Sequence, residues 1–203
     1  MNSVAILIPA AGRSARMRGR DKLLEPVEGV PLLRRQADIA RRTGAPVMVT
    51  LPPAHAARLA VLAGLDGVRI TPLPEAPEGI AASIRAGAGW AREIGAQGLM
   101  VLLADLPEIG TDDLHAMMRG FAAAPGTPLR ATDASGLPGH PVILPARLYP
   151  ALAGLSGDRG AGVLLKRERP AEIALPGRRA TTDLDTPEDW AAWRARGQED
   201  DEA

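Results

Sequence analysis

Two rhythms of apolar residues run along this chain. Continuous apolar runs of strand length fall at residues 4–8, 47–51, 68–71 and 99–103. Between them lie stretches of helical spacing: 32–42, where Leu33, Ala37 and Ala40 share one face, then 54–63 and 80–94. A further helix is predicted from Thr111 to about Ala123, with Thr111 as its cap and Asp112 and Asp113 in its first turn. Strands that are apolar throughout, not alternating, belong to a sheet covered on both faces, and their alternation with helices predicts mostly parallel order. After Pro125 the rhythm changes. Extended segments at 129–132 and 140–144 flank the Gly/Pro-rich run Ser135-Gly136-Leu137-Pro138-Gly139. Short helices are predicted near 146–153 and 161–167, and strands near 171–175 and 180–184. Thr186-Pro187-Glu188-Asp189 reads as a helix start: a capping threonine, a proline where its missing N–H is harmless, and two acids. The acidic residues 198–203 read as a disordered tail, which leaves 1–197 as a single domain without internal repeat or linker.

Composition narrows the possible functions. The 203 residues balance 24 basic against 24 acidic side chains, so no global field favours nucleic acid or a membrane. Aromatic residues are 2% of the chain, too few for a base-stacking platform. Cysteine is absent, which excludes disulfides, thiolate metal sites and thiol nucleophiles. No apolar stretch approaches the roughly 20 residues of a membrane helix, and no basic segment precedes the first apolar run as in a signal peptide. A cytoplasmic location is the expectation.

Against that neutral background one segment stands out. Ala10-Ala11-Gly12-Arg13-Ser14-Ala15-Arg16-Met17-Arg18-Gly19-Arg20-Asp21-Lys22 places five cations directly after the first strand. Open α/β sheets bind ligands at such strand-to-helix turns, where small residues let backbone N–H groups approach phosphate oxygens. Arg16 would add bidentate contacts and Lys22 a point charge. A solvated basic loop is the competing reading. The glycine pattern of dinucleotide-binding folds is missing, since Gly12 and Gly19 are the loop's glycines. The P-loop is missing too, because Leu23 follows Lys22. Asp105 follows the apolar run 99–103 and would share the crevice. It suits Mg²⁺, which takes one or two carboxylates plus substrate phosphates, or a turn before Pro107. In an extended segment Asp183 and Asp185 would share one face.

These residues carry a resemblance. Ala10-Ala11-Gly12-x-Ser14-x-Arg16-Met17, followed by Lys22-Leu23-Leu24, resembles the signature of the nucleotidyltransferases that attach a nucleotide to molybdopterin. Their superfamily has a Rossmann-like fold and includes sugar-phosphate nucleotidyltransferases. Arg18 stands as a one-residue insertion between the usual Arg-Met and Gly, and Pro9 replaces a common leucine or threonine. Ala104-Asp105-Leu106-Pro107 is similar to the family's Gly-Asp-Met-Pro, whose aspartate binds metal. The stretch from Asp183 to Asp189 is similar to one beside that metal. It implies Asp183 as a second or water-mediated ligand, with Asp185 a ligand or a helix-entry residue. Gly79-Ile80-Ala81-Ala82-Ser83-Ile84-Arg85-Ala86-Gly87 resembles the Gly-x-x-x-Ser-Leu-x-x-Gly of the cytidylyltransferase branch. The guanylyltransferase branch carries Gly-Pro-Leu-Ala-Gly there, and Ala-Gly-Gly where this chain has Ala10-Ala11-Gly12. Gly139-His140-Pro141 and Gly157-Asp158-Arg159-Gly160-Ala161 resemble elements near the acceptor. Without the resemblance, His140 before a proline reads as structural and Asp158 as the cap of the helix that begins near Gly160.

The resemblance implies a Rossmann-like three-layer α/β/α fold of the nucleotide-diphospho-sugar transferase type. It implies Mg²⁺-dependent transfer of CMP from CTP to the terminal phosphate of molybdopterin or molybdenum cofactor, with release of pyrophosphate. Arg16, Lys22 and Asp105 would be catalytic; Ala10, Ala11, Gly12, Ser14, Gly79 and Ser83 would complete the nucleotide site. Asp105 and Asp183 would hold metal, and Gly139, His140 and Asp158 would face a phosphorylated pterin acceptor. A molybdoenzyme or its chaperone would be a further partner. Two alternatives stay open: transfer to a sugar or alditol phosphate, or a non-catalytic cofactor chaperone.

Overall fold

A computed structural model describes residues 4–74, 79–157 and 160–201. In chain order the elements are β1 (Val4–Pro9), β2 (Pro26–Val27), β3 (Val30–Pro31), α1 (Leu32–Arg42), β4 (Val47–Leu51), α2 (Ala56–Leu62), β5 (Val68–Pro72) and α3 (Ile80–Glu93). They continue with β6 (Gly98–Val101), α4 (Thr111–Ala123), β7 (Leu129–Thr132), β8 (Pro138–Pro145), α5 (Tyr149–Leu152), α6 (Gly162–Glu168), β9 (Ala171–Ala174) and α7 (Pro187–Asp201). Seven strands form one sheet in the order β5-β4-β1-β6-β8-β7-β9. Every pairing is parallel except those of β8, which runs against both β6 and β7.

The apolar runs behave as their composition requires. Ile6 and Ile8 of β1 point into one core layer with Leu33, Ala37, Leu62, Leu114, Met117 and Phe121 from α1, α2 and α4. Ala5 and Leu7 point the other way, to Ile84, Ala88, Trp90, Leu152 and Leu165 from α3, α5 and α6. A strand buried on both faces cannot alternate with polar residues, and each fully buried aliphatic side chain contributes about 1.5–3 kcal/mol. A third, smaller cluster joins Met17, Val27, Leu32, Leu184 and Trp190. It fastens α7 and the β2–β3 hairpin beneath the loop after β1.

Several expectations are corrected. Residues 180–184 are not a strand. Thr181 and Thr182 both donate backbone N–H groups to Arg178 O at 2.9 Å, a stacked turn that replaces ladder bonds. The cap of α4 is Gly110, not Thr111; Asp113 Oδ2 accepts Gly110 N–H at 2.9 Å, while Thr111 is the first helical residue. The fourth apolar run leaves the sheet after Val101, where β8 pairing also ends. The short hairpin β2–β3, turning through Glu28 and Gly29 at φ 51 and 79, was not expected. α7 runs through most of the segment read as a tail, to Asp201. Among the described residues no helix is long and apolar enough to cross a membrane.

Candidate active site

The parallel strands β4, β1 and β6 end on one edge, and a cavity of about 580 Å³ opens there. β1 has neighbours on both sides, so its outgoing loop lies at the point where strand order reverses, the usual ligand position of an open α/β sheet. The loop leaves β1 with Ala10 N–H donated to Thr50 O at 3.0 Å. A short 3-10 turn, Ala15–Met17, sits between Ser14 and Arg18, both in the left-handed region at φ 50 and 52. Left-handed backbone costs a non-glycine residue roughly 1–2 kcal/mol, so something must hold the loop there. Part of the hold is Met17, fully buried against Val27, Leu32, Leu184 and Trp190. Arg18 and Gly19 both take left-handed backbone, which accommodates the extra residue Arg18, and Arg18 pairs with Glu188 at 2.6 Å outside the cavity. Arg16 and Lys22 both remain in the cavity lining.

The other part of the hold was missed in the sequence. Arg58 of α2 is 1% exposed. Its guanidinium donates to Ala10 O at 2.6 Å, Gly12 O at 2.7 Å and Ser14 Oγ at 3.3 Å, and to both oxygens of Asp21 at 2.7 and 2.8 Å. Ser14 Oγ donates to Asp21 Oδ1 at 3.0 Å, so the serine is part of this network. Burial works to raise the Asp21 pKa, but hydrogen bonds and charge from Arg58 and the bonds from Leu23 N–H and Ser14 hold it below the usual carboxylate value. One cation thus binds two loop carbonyls, turning that side of the loop away from the cavity. The available signal was helical period: Arg58 stands four residues before the buried Leu62, so it falls on the apolar face of α2.

Lys22 sits on the cavity floor, 17% exposed. Its Nζ donates to Asp105 Oδ2 at 2.5 Å and Asp185 Oδ1 at 2.6 Å. Burial would lower its pKa, but the two carboxylates raise it above the ordinary value, so it is a cation at neutral pH. Arg16 reaches Asp185 Oδ2 at 2.7 Å. Leu184 is buried between two acids and donates its N–H to Asp105 O at 3.2 Å, which ties the two acidic segments together. Asp185 lines the cavity; Asp183 is exposed and does not, although it feels its neighbours. Partial desolvation, then the charges of Asp105 and Asp185, raise the Asp183 pKa against the pull of Lys22. Buried Gln36 fixes the turn after Asp105 by donating to Leu106 O at 2.7 Å.

The residues here fit a divalent cation. Asp105 Oδ1 is buried without a hydrogen-bond partner, a costly position that a bound cation relieves. Among the described residues no three His, Asp or Glu side chains form a ready metal cage.

The wall opposite the loop is the start of α3. Gly79 precedes it at φ 88, and Gly79, Ile80 and Ser83 line the cavity with Ala10, Ala11, Gly12 and Ser14. Ser83 Oγ accepts from Thr50 Oγ1 at 3.0 Å. Ala11 packs with Leu73 and Ala82. Gly139 and His140 lie outside the cavity lining, on β8. A Cβ on Gly139 would stand 2.0 Å from Ala180 O, and His140 N–H donates to that same carbonyl at 2.9 Å. His140 Nδ1 is 3.4 Å from Val101 O. Burial lowers the His140 pKa, helped by Arg130 and opposed by Val101 O and Asp105. Asp158 lies outside the described residues.

The description of a MobA-like NTP transferase domain matches residues 6–173. Molybdenum cofactor guanylyltransferase of Rhodobacter capsulatus is 34% identical over 128 residues, covering 60% of each protein. Purine catabolism protein PucB of Bacillus subtilis (strain 168) is 31% identical over 119 residues, 57% of this chain and 56% of that protein. The similarity thus spans under two thirds of either relative. The crystal structure of Rv0371c from Mycobacterium tuberculosis H37Rv is similar along nearly its whole length. Its TM-score is 0.79 at 30% identity, covering 94% of this chain and 96% of that chain. The structure of that protein in complex with manganese has a TM-score of 0.75 at 29% identity, covering 94% and 97%.

Proposed function

This chain belongs to the MobA-like NTP transferase domain family, hence to the nucleotidyltransferases, and we propose that it moves CMP from CTP to the terminal phosphate of molybdopterin or molybdenum cofactor. The observation that carries the reading is Lys22 between Asp105 and Asp185 on the floor of a cavity walled by a small-residue loop and a helix start. An oxygen of the acceptor phosphate attacks the α-phosphorus of CTP. The new P–O bond forms as the bond to the β-phosphate oxygen breaks, and pyrophosphate leaves with that electron pair. No protein nucleophile is needed. Alignment of two anions and neutralisation of their charge supply the catalysis. Lys22 and Arg16 hold the triphosphate, and backbone N–H groups of Ala11–Ser14 approach its oxygens. Family members use divalent metal ions; here Asp105 would hold Mg²⁺ with Asp185, and Asp183 through water. Bound Mg²⁺ supplies charge neutralisation on the phosphate oxygens and a template for them.

Arg16→Ala is expected to weaken CTP binding about tenfold, as for one lost charge-assisted contact of roughly 1.5 kcal/mol. Arg18→Ala, which loses an exposed ion pair with Glu188, should leave it within about twofold. Nucleotide titration checks both, and a larger loss in the Arg18 variant would mean that the insertion has moved the loop.

Base choice rests on Ala11, which lines the cavity and packs with buried Leu73 and Ala82 behind it. A methyl group at position 11, where the guanine branch has glycine, closes space that a purine would use. Backbone groups near Ala11 and Gly79 would read the cytosine edge, and a wrong base would leave them unpaired at about 1–3 kcal/mol each. We expect at least a roughly tenfold preference for CTP over GTP. Thermal shift with each nucleotide and Mg²⁺, followed by competition for turnover, measures it. Equal use of GTP would assign the chain to the reaction named for its Rhodobacter relative. Pyrophosphate release with alditol phosphates but not with molybdopterin would move the acceptor to the sugar-phosphate class.

A further inference from the structure

The two carboxylates that would hold a divalent ion are already engaged by the protein's own cations. Asp105 and Asp185 have four oxygens between them. Lys22 Nζ donates to Asp105 Oδ2 at 2.5 Å and to Asp185 Oδ1 at 2.6 Å. Arg16 takes Asp185 Oδ2 at 2.7 Å. The fourth oxygen, Asp105 Oδ1, is buried without a hydrogen-bond partner among the described residues. Two cations thus balance two carboxylates.

Mg²⁺ would need the same oxygens, at about 2.0–2.1 Å. It cannot share them with an ammonium group, because two cations would then stand within a few ångström of each other where water screens them poorly. Metal and lysine therefore compete. The two side-chain cations are not equal competitors. Arg16 is 70% exposed, so water screens its bond. Lys22 is 17% exposed and bridges both acids.

The backbone decides which partner moves. Asp105 O accepts Leu184 N–H at 3.2 Å. Asp185 N–H donates to Asp189 Oδ2 at 3.2 Å, which also accepts Thr186 N–H at 2.8 Å at the start of α7. Both acids thus stand on fixed backbone, whereas lysine carries its charge on a flexible four-carbon stem. Lys22 also lines the cavity with the small-residue loop, where phosphate oxygens would give its ammonium group another partner.

We propose that Lys22 closes the metal's carboxylates until a nucleoside triphosphate draws its ammonium group onto phosphate oxygens, so that the divalent ion enters with the nucleotide or after it. The exchange keeps charge in balance. The triphosphate takes over the two cations, and the two carboxylates they release match one divalent ion. This rests on the nucleotidyltransferase reading of the cavity but not on the choice of CTP or of molybdopterin.

Mn²⁺ serves as the probe, with electron paramagnetic resonance counting the free ion during titration of the full chain. Without nucleotide, Lys22→Met should bind Mn²⁺ at least about tenfold more tightly than wild type. Lys22→Gln, which keeps a donor but no charge, should gain nearly as much, and Arg16→Ala less than about threefold. Adding Asp105→Ala to Lys22→Met should abolish the gain. An α,β-methylene analogue of CTP or GTP should raise wild-type affinity for Mn²⁺ at least about tenfold, once the analogue's own Mn²⁺ binding is subtracted, and should raise that of Lys22→Met less. Thermal melting establishes that each variant is folded. The proposal is overturned if neither folded Lys22 variant binds Mn²⁺ more tightly than wild type, if the gain survives loss of Asp105, or if wild type binds Mn²⁺ equally well with and without the analogue it binds. Wild type that binds neither analogue by calorimetry would overturn the nucleotide reading, and with it the trigger. The lysine's hold on the carboxylates stands or falls on the nucleotide-free titrations alone.

Discussion

Replacing Asp105 with alanine should lower metal-dependent turnover by about a hundredfold or more while the protein still folds. The two halves of this expectation have separate causes. Asp105 is a carboxylate with a buried oxygen that no described residue satisfies, at the mouth of β6 and on the wall of the cavity. A group kept in so costly a position serves something that arrives later. In the proposed reaction its removal would take away a ligand for the cation that neutralises the phosphates, a transition-state loss of a few kcal/mol. Stability should barely suffer. The unsatisfied oxygen disappears, and Lys22 keeps Asp185 at 2.6 Å. Asp105→Asn, which keeps the shape and loses the charge, should be nearly as inactive. Pyrophosphate release at saturating CTP and Mg²⁺, beside thermal melting of each variant, makes the test. Near-normal turnover in either variant would remove Asp105 from the chemistry.

What could be read from the sequence follows from how local each feature is. Val4–Pro9 and Val47–Leu51 announced themselves because burial on both faces leaves no place for a polar residue, and α1 because Leu33, Ala37 and Ala40 repeat at helical spacing. The charged loop and Asp105 were legible because cations after a buried strand, and an acid after another, have few reasons to be there. Residues 180–184 misled because two β-branched threonines mimic a strand, while their bonding is decided by Arg178 O and by the close passage of Ala180 over Gly139. The β2–β3 hairpin has two residues per strand, too few to form a pattern. Position 183 against 185 was not decidable in the sequence. The choice depends on Leu184 turning into the cluster of Met17 and Trp190, which puts Asp185 toward Lys22. Arg58 was hidden for the same reason. Its partners lie between 37 and 48 residues away, and its place on the apolar face of a short helix, four residues before Leu62, signals burial but not what it binds.

Arg58→Met should destabilise the fold by about 3–5 kcal/mol, the usual result of removing one member of a buried ion pair. For a domain of this size that is a drop of roughly 10 °C in melting temperature. Methionine keeps most of the apolar stem, so the loss isolates the guanidinium. It leaves Asp21 without its main partner and the carbonyls of Ala10 and Gly12 without donors. The double variant Arg58→Met, Asp21→Asn should recover part of the loss, because an amide is far cheaper than a lone carboxylate to leave in that position. The pH dependence separates this from simple loss of packing. In the wild type Asp21 has a folded pKa below its ordinary 3.8. Its stabilisation is therefore complete above about pH 4 and lost as pH falls through the folded value. Without Arg58, burial acts on Asp21 against only the bonds from Leu23 N–H and Ser14, so the variant loses less of that contribution on acidification. The gap between wild type and variant should be widest near pH 6 and should narrow toward pH 3, measured by denaturant unfolding across that range. Because the same guanidinium sets the path of the loop, CTP affinity should fall as well, in proportion to how often the loop leaves its left-handed turns. A variant melting within about 2 °C of wild type, or a gap that does not change with pH, would show that Arg58 is not what holds the nucleotide loop in shape.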